Sequence, residues 1–84
     1  MRSCAVCAYL GLDPSPSSGE VGLWTSLPAI VAAANQVFPS APAGEHHVML
    51  AVCNEHVVEI YRDRIPGLRM AWRLRVEPAA PALT

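Results

Sequence analysis

The chain has 84 residues, 52% of them hydrophobic, with eight prolines, three cysteines and a formal net charge of −1. Such a length holds one small domain, the apolar fraction excludes a disordered chain, and the near-neutral charge excludes a polycationic nucleic-acid binder or an acidic tail. Charge is nonetheless uneven: residues 1–61 carry Arg2 against five carboxylates, whereas residues 62–84 carry five arginines against two.

Residues 1–11 hold a first cysteine pair, Cys4 and Cys7. The stretch combines Arg2 with a short apolar run, but it contains two cysteines and lacks a small-residue cleavage pattern, so it does not read as a signal peptide. No apolar run approaches the roughly 18 residues that span a bilayer. An odd cysteine count argues against a paired disulfide framework, and the expectation is a cytoplasmic chain with reduced thiols.

Residues 12–20 form a proline- and serine-rich loop, and residues 21–25 a short strand that Gly22 weakens. Ser26 then offers an N-cap and Pro28 a first-turn residue for a helix reaching Phe38. Ile30, Val31, Ala34, Val37 and Phe38 follow its spacing, and Pro39 ends it. A second loop covers residues 39–45. Residues 46–52 (HHVMLAV) alternate as a strand that puts Val48, Leu50 and Val52 on one face.

Residues 54–64 (NEHVVEIYRDR) read as a second helix, with Asn54 as cap type, Glu55 at the positive end and Arg62 and Arg64 at the other. Pro66–Gly67 breaks it. Leu68, Met70, Trp72, Leu74 and Val76 then alternate with Arg69, Ala71, Arg73 and Arg75, the pattern of a half-buried strand. Its two faces are expected to be one apolar, with Trp72 among the core residues, and one arginine-rich. Strand, helix, strand suggests a crossover whose pairing direction the sequence does not fix.

The chemistry lies in two pairs of equal spacing, Cys4-x-x-Cys7 and Cys53-x-x-His56. A gap of two puts both side chains on one side of a turn or helix start, so each pair can supply two corners of a tetrahedron. Thiolate and neutral imidazole are donors that zinc prefers over harder cations. Four such ligands close the shell, which is the structural rather than the catalytic arrangement. The second pair falls at a strand-to-helix junction, where helix N–H groups suit negative sulfur. Buried apolar cysteines and a redox CxxC are the competing readings. The latter lacks the strand before and helix after that a thioredoxin-like motif needs. His46 and His47 compete for the fourth position, but they begin a strand that ends at the site, roughly 20 Å away at about 3.3 Å per residue. His56 is therefore preferred. Glu55 beside a ligand invites comparison with zinc hydrolases, yet a closed shell leaves no place for activated water.

This motif resembles the treble-clef group of zinc fingers, in which a knuckle holds two ligands and a helix start holds two more. The resemblance implies Cys4 and Cys7 as the knuckle, Cys53 and His56 as the helix pair, and Zn2+ as cofactor. A core drawn from so few residues needs such a staple, since below about 70–80 residues burial alone rarely suffices.

The sequence thus predicts an α+β domain over residues 1–76 with two helices and two or three strands, followed by a flexible tail over 77–84. The expected function is a non-catalytic zinc-binding module that contacts another protein or a second copy of itself. One alternative is nucleic-acid binding through Arg69, Arg73 and Arg75, whose forks match phosphate geometry. That face lacks interleaved aromatic residues in this reading, which disfavours stacking on single strands. The other alternative is a thiol-redox protein.

Overall fold

The computed structural model describes residues 3–76, without the side chains of 73–76, so the expected tail lies outside it. Elements follow in the order α1 (Ala5–Tyr9), β1 (Gly19–Thr25), α2 (Pro28–Ala33), β2 (Gln36–Phe38), β3 (His46–Val52), α3 (Asn54–Tyr61) and β4 (Leu68–Val76). The α+β class stands, with three helices and four strands among the described residues.

The strands form one sheet in the order β2-β3-β1-β4, every neighbouring pair antiparallel. It follows that β3 and β4 run the same way with β1 between them, and β1 and β2 the same way with β3 between them. These are two interleaved β-α-β units, the split β-α-β arrangement. The crossover expected through α3 is present, but its two strands do not pair directly.

Alternation decides which side of the sheet is covered. Val21, Leu23, Val48, Leu50, Val52 and Leu68 point to one face and pack against Val6 and Cys7 of α1, Ile30 of α2, and Val57 and Ile60 of α3. All of them are 8% exposed or less. Burying an aliphatic side chain contributes roughly 1.5–3 kcal/mol, so this inner layer holds the sheet and three helices together. Thr25 is fully buried at its edge, where its Oγ1 accepts the Leu27 N–H at 3.1 Å.

Two groups of sequence expectations are corrected, the limits of helices and the facing of β4. The helix expected up to Phe38 stops at Ala33, and Leu27 rather than Ser26 precedes its first turn. Ala34 is extended (ψ 149°), the Asn35 N–H bonds the Met49 carbonyl, and residues 36–38 pair with β3. Val37 and Phe38 are a β-branched and an aromatic residue, better suited to a strand than to a helix end. Likewise Cys53, not Asn54, caps α3, because it continues the extended backbone of β3 to the point where the helix starts.

The second correction concerns β4. Its register against β1 runs Thr25↔Leu68, Trp24↔Arg69, Leu23↔Met70, Gly22↔Trp72, Val21↔Arg73 and Glu20↔Arg75, with irregularities on either side of the Gly22–Val21 step. Ala71 and Leu74 are thus extra residues in β4, and an extra residue reverses the facing of those that follow it. Trp72 therefore lies on the outer face, opposite Gly22, and not among the core residues. Strict alternation over residues 68–76 does not survive in the pairing. The side chains of Arg73 and Arg75 lie outside the described residues.

Candidate metal centre

Three segments converge at one end of the sheet. Cys4 has extended backbone and caps α1, its Sγ accepting the Cys7 N–H at 3.4 Å. Its own N–H bonds the Ser15 carbonyl at 2.8 Å, and Ser3 bridges to Pro16, so the proline-rich loop folds back to hold the first pair. The first turn of α1 brings Cys7 beside Cys4. Cys53 leaves β3, and one turn of α3 later His56 returns to the same point, with the Val57 N–H bonded to the Cys53 carbonyl at 3.0 Å.

Cys4, Cys7, Cys53 and His56 are buried, and their ligand atoms all lie within 4.8 Å of one another. The three sulfurs face the same imidazole nitrogen. Nδ1 of His56 lies 3.6 Å from Cys4 Sγ, 3.5 Å from Cys7 Sγ and 3.4 Å from Cys53 Sγ. With metal–sulfur bonds of about 2.3 Å and metal–nitrogen bonds of about 2.0–2.1 Å, a tetrahedral ion sets sulfur and nitrogen about 3.5–3.6 Å apart. The observed separations match that edge. All three cysteines are free thiols.

The donor set also fits a metal better than the competing interpretations. One imidazole nitrogen cannot serve three thiols equally as a hydrogen-bond partner, whereas an ion at the centre is shared by all four. Sulfur with imidazole suits zinc and other borderline-soft ions rather than magnesium or calcium. Among the described residues, no buried side-chain nitrogen or oxygen is left without a partner. With three thiolates, a neutral imidazole and a divalent ion, the centre would carry a formal charge of −1. The Cys7 N–H in the first turn of α1 points to Cys4 Sγ, and the second pair lies at the start of α3, where a helix terminus favours negative charge.

His46 and His47 lie at the far end of β3, outside the cluster. Glu55 is exposed on the solvent side of α3. The first pair sits at a helix start rather than on a hairpin knuckle, which departs from the arrangement implied by the treble-clef resemblance. Arg69 is exposed on the outer face, stacked 4.7 Å over the Trp24 ring and paired with Glu45.

That outer face carries a group the sequence reading did not find. Phe38, His47, Trp24 and Arg69 form one row across all four strands. Trp72 lies across Gly22, and its Nε1–H donates to Nε2 of His47 at 2.8 Å. Phe38 makes a tilted ring contact with His47 at 4.7 Å and meets Trp72 edge-on at 5.8 Å. Gly22 was the available signal, because a glycine inside a strand often marks the close approach of another group.

No protein-family model matches the chain, and searches of curated proteins and of solved structures return no match. Among the described residues no helix is long and apolar enough to cross a membrane.

Proposed function

We propose that the protein is a non-catalytic zinc-binding module, in which one Zn2+ held by Cys4, Cys7, Cys53 and His56 fixes the N-terminal segment to the sheet. The observation that carries this reading is the equal spacing of three sulfurs about one imidazole nitrogen at 3.4–3.6 Å. The ion would act as a cross-link. Four protein ligands complete a tetrahedral shell, and the absence of an open position argues for structure rather than catalysis. Metal content of untagged protein by inductively coupled plasma mass spectrometry tests the proposal. One zinc per chain is expected, and cobalt substitution should give sulfur-to-cobalt charge-transfer bands. A well-folded, metal-free sample refutes it, and a Cys4–Cys7 disulfide in that sample would favour the thiol-redox alternative. The spacing of the two pairs resembles the treble-clef motif, while the first pair sits at a helix start.

The module is proposed to act by contact with another protein or a second copy. Tyr61, 76% exposed, and Val58 on the outer side of α3 support that reading. Nucleic-acid binding is favoured by one observation: the outer face does interleave aromatic rings with arginine positions, as single-strand readers do. Against it, Glu45 already engages Arg69. Fluorescence anisotropy with single-stranded oligonucleotides separates the two. Binding that falls steeply with salt, and with Arg69→Ala and Arg75→Ala together, would support the nucleic-acid reading.

A further inference from the structure

The hydrogen bond between Trp72 and His47 has a chemical asymmetry. An indole N–H can only donate, so the Nε2 of His47 that receives it at 2.8 Å must be an unprotonated acceptor. Neutral His47 then carries its proton on Nδ1. Imidazolium has no acceptor at all. On protonation, two N–H groups would point at each other across the same contact.

The surroundings make this bond the polar fastening of the outer aromatic layer. Trp72 lies so close over Gly22 that a Cβ there would fall 2.3 Å from the ring. From that position the indole reaches from β4 over β1 to His47 on β3 and Phe38 on β2. His47 is also in ring contact with Phe38 and Trp24. All three helices pack on the other side.

Among the described side chains the charged groups on this side are few, and the register also sets the Arg75 position of β4 opposite Glu20. From β4, Arg69 sits over Trp24 and pairs with Glu45. From β1, Glu20 shares the face and accepts from Asn35. From β2, the neighbours Gln36 and Phe38 carry no charge. On the approach to β3 lie Glu45 and the exposed His46. With Glu45 already engaged by Arg69, a new positive charge on His47 meets no free carboxylate described beside it.

We propose that the Trp72–His47 hydrogen bond is a proton-sensitive latch, holding Trp72 down on the outer sheet face while His47 is neutral and releasing it when His47 becomes imidazolium. The device is independent of the metal centre, which lies at the opposite end of β3. Protonation of His47 therefore loosens the aromatic layer without itself removing a contact on the helical side of the sheet.

Nuclear magnetic resonance of zinc-loaded, 15N-labelled full chain tests it. Long-range proton–nitrogen spectra report which imidazole nitrogen carries the proton, and Trp72→Phe assigns the indole signals. At about pH 8 His47 should be protonated on Nδ1 alone, and the Trp72 indole proton should exchange about tenfold more slowly than that of Trp24. As His47 titrates, that protection should disappear with the same midpoint. His47→Gln, which keeps an acceptor but cannot titrate, should retain the protection throughout. An Nε2-protonated His47 at high pH, protection that persists after His47 titrates, or a pH response that persists in His47→Gln each overturns the latch.

Discussion

Replacing Gly22 by alanine isolates the close approach of Trp72 to the sheet. The added Cβ would stand 2.3 Å from Cε2, 2.6 Å from Cδ2 and 2.6 Å from Nε1 of the Trp72 ring. Ordinary carbon contacts lie near 3.5–4.0 Å, so the ring must rise by more than an ångström. It is held by its edge contact with Phe38 and by its bond to His47. Overpacking of this kind costs typically about 1–3 kcal/mol, and loss of the hydrogen bond adds about 0.5–1.5 kcal/mol. Alanine's lower backbone entropy in a strand returns roughly 0.5–1 kcal/mol. The net expectation is a destabilisation of about 1–3 kcal/mol. For a domain of this size that lowers Tm by about 4–8 °C per kcal/mol. Thermal unfolding of zinc-loaded Gly22→Ala, Trp72→Leu and the double variant measures it. In the Trp72→Leu background the alanine should cost nothing or stabilise, giving a coupling of at least about 1 kcal/mol. A Gly22→Ala protein as stable as the parent, or a penalty undiminished without the indole, refutes the placement of Trp72 over Gly22.

Other outcomes follow from the same geometry. Cys7→Ser should lose zinc stoichiometry and the amide protection of residues 4–12, since without the full ligand set the first pair is no longer tied to Cys53 and His56. Lowering pH should weaken zinc binding, because protons compete for the same sulfurs and imidazole nitrogen; a chromogenic chelator titration reads this. Glu55→Gln should leave zinc content unchanged, as the carboxylate is exposed and outside the cluster, and lower stability by less than about 1 kcal/mol through the lost charge at the helix start. Asp63 has φ 58° immediately after α3, a left-handed conformation that disfavours a side chain. Asp63→Gly should raise stability by about 1 kcal/mol in a denaturant titration.

Much of the metal site was legible because its information is local. Two spacings of three along the chain, one on each side of a long intervening segment, were enough to pick four residues that the fold brings together. His56 prevailed over His46 and His47 on strand length alone, and the structure puts those two at the far end of β3. The inner core was equally legible, since Val48, Leu50 and Val52 follow the two-residue period of their strand. What escaped depends on contacts between distant segments. Residues 36–38 have a helical apolar spacing, but pairing with β3 claims them as a strand. Trp72 fitted a perfect alternation until an extra residue in β4 turned it to the outer face. A bulge is set by the pairing of two strands, so no period within one strand reveals it.

The split topology also gives a reason for a metal-binding cluster at this point of the fold. The sheet, α2 and α3 close upon themselves through long antiparallel pairings, whereas α1 is five residues long and precedes the first strand by a proline-rich loop. A helix of that length has no stability of its own. Val6 is fully buried against the sheet, yet one valine contributes only roughly 1.5–3 kcal/mol, less than the entropy of ordering residues 3–18 at about 1–2 kcal/mol each. An ion joining Cys4 and Cys7 to Cys53 and His56 would tie this segment across the 45 residues that separate the pairs. By analogy with a disulfide, closing a loop of that length in the unfolded chain contributes about 4 kcal/mol before any bond energy is counted. Removing zinc by chelation should therefore release α1 before the sheet. Amide exchange should rise first at residues 4–12 and only later in β1 and β3. Simultaneous loss of protection in all three would mean that the metal supports the whole domain rather than its N-terminal clasp.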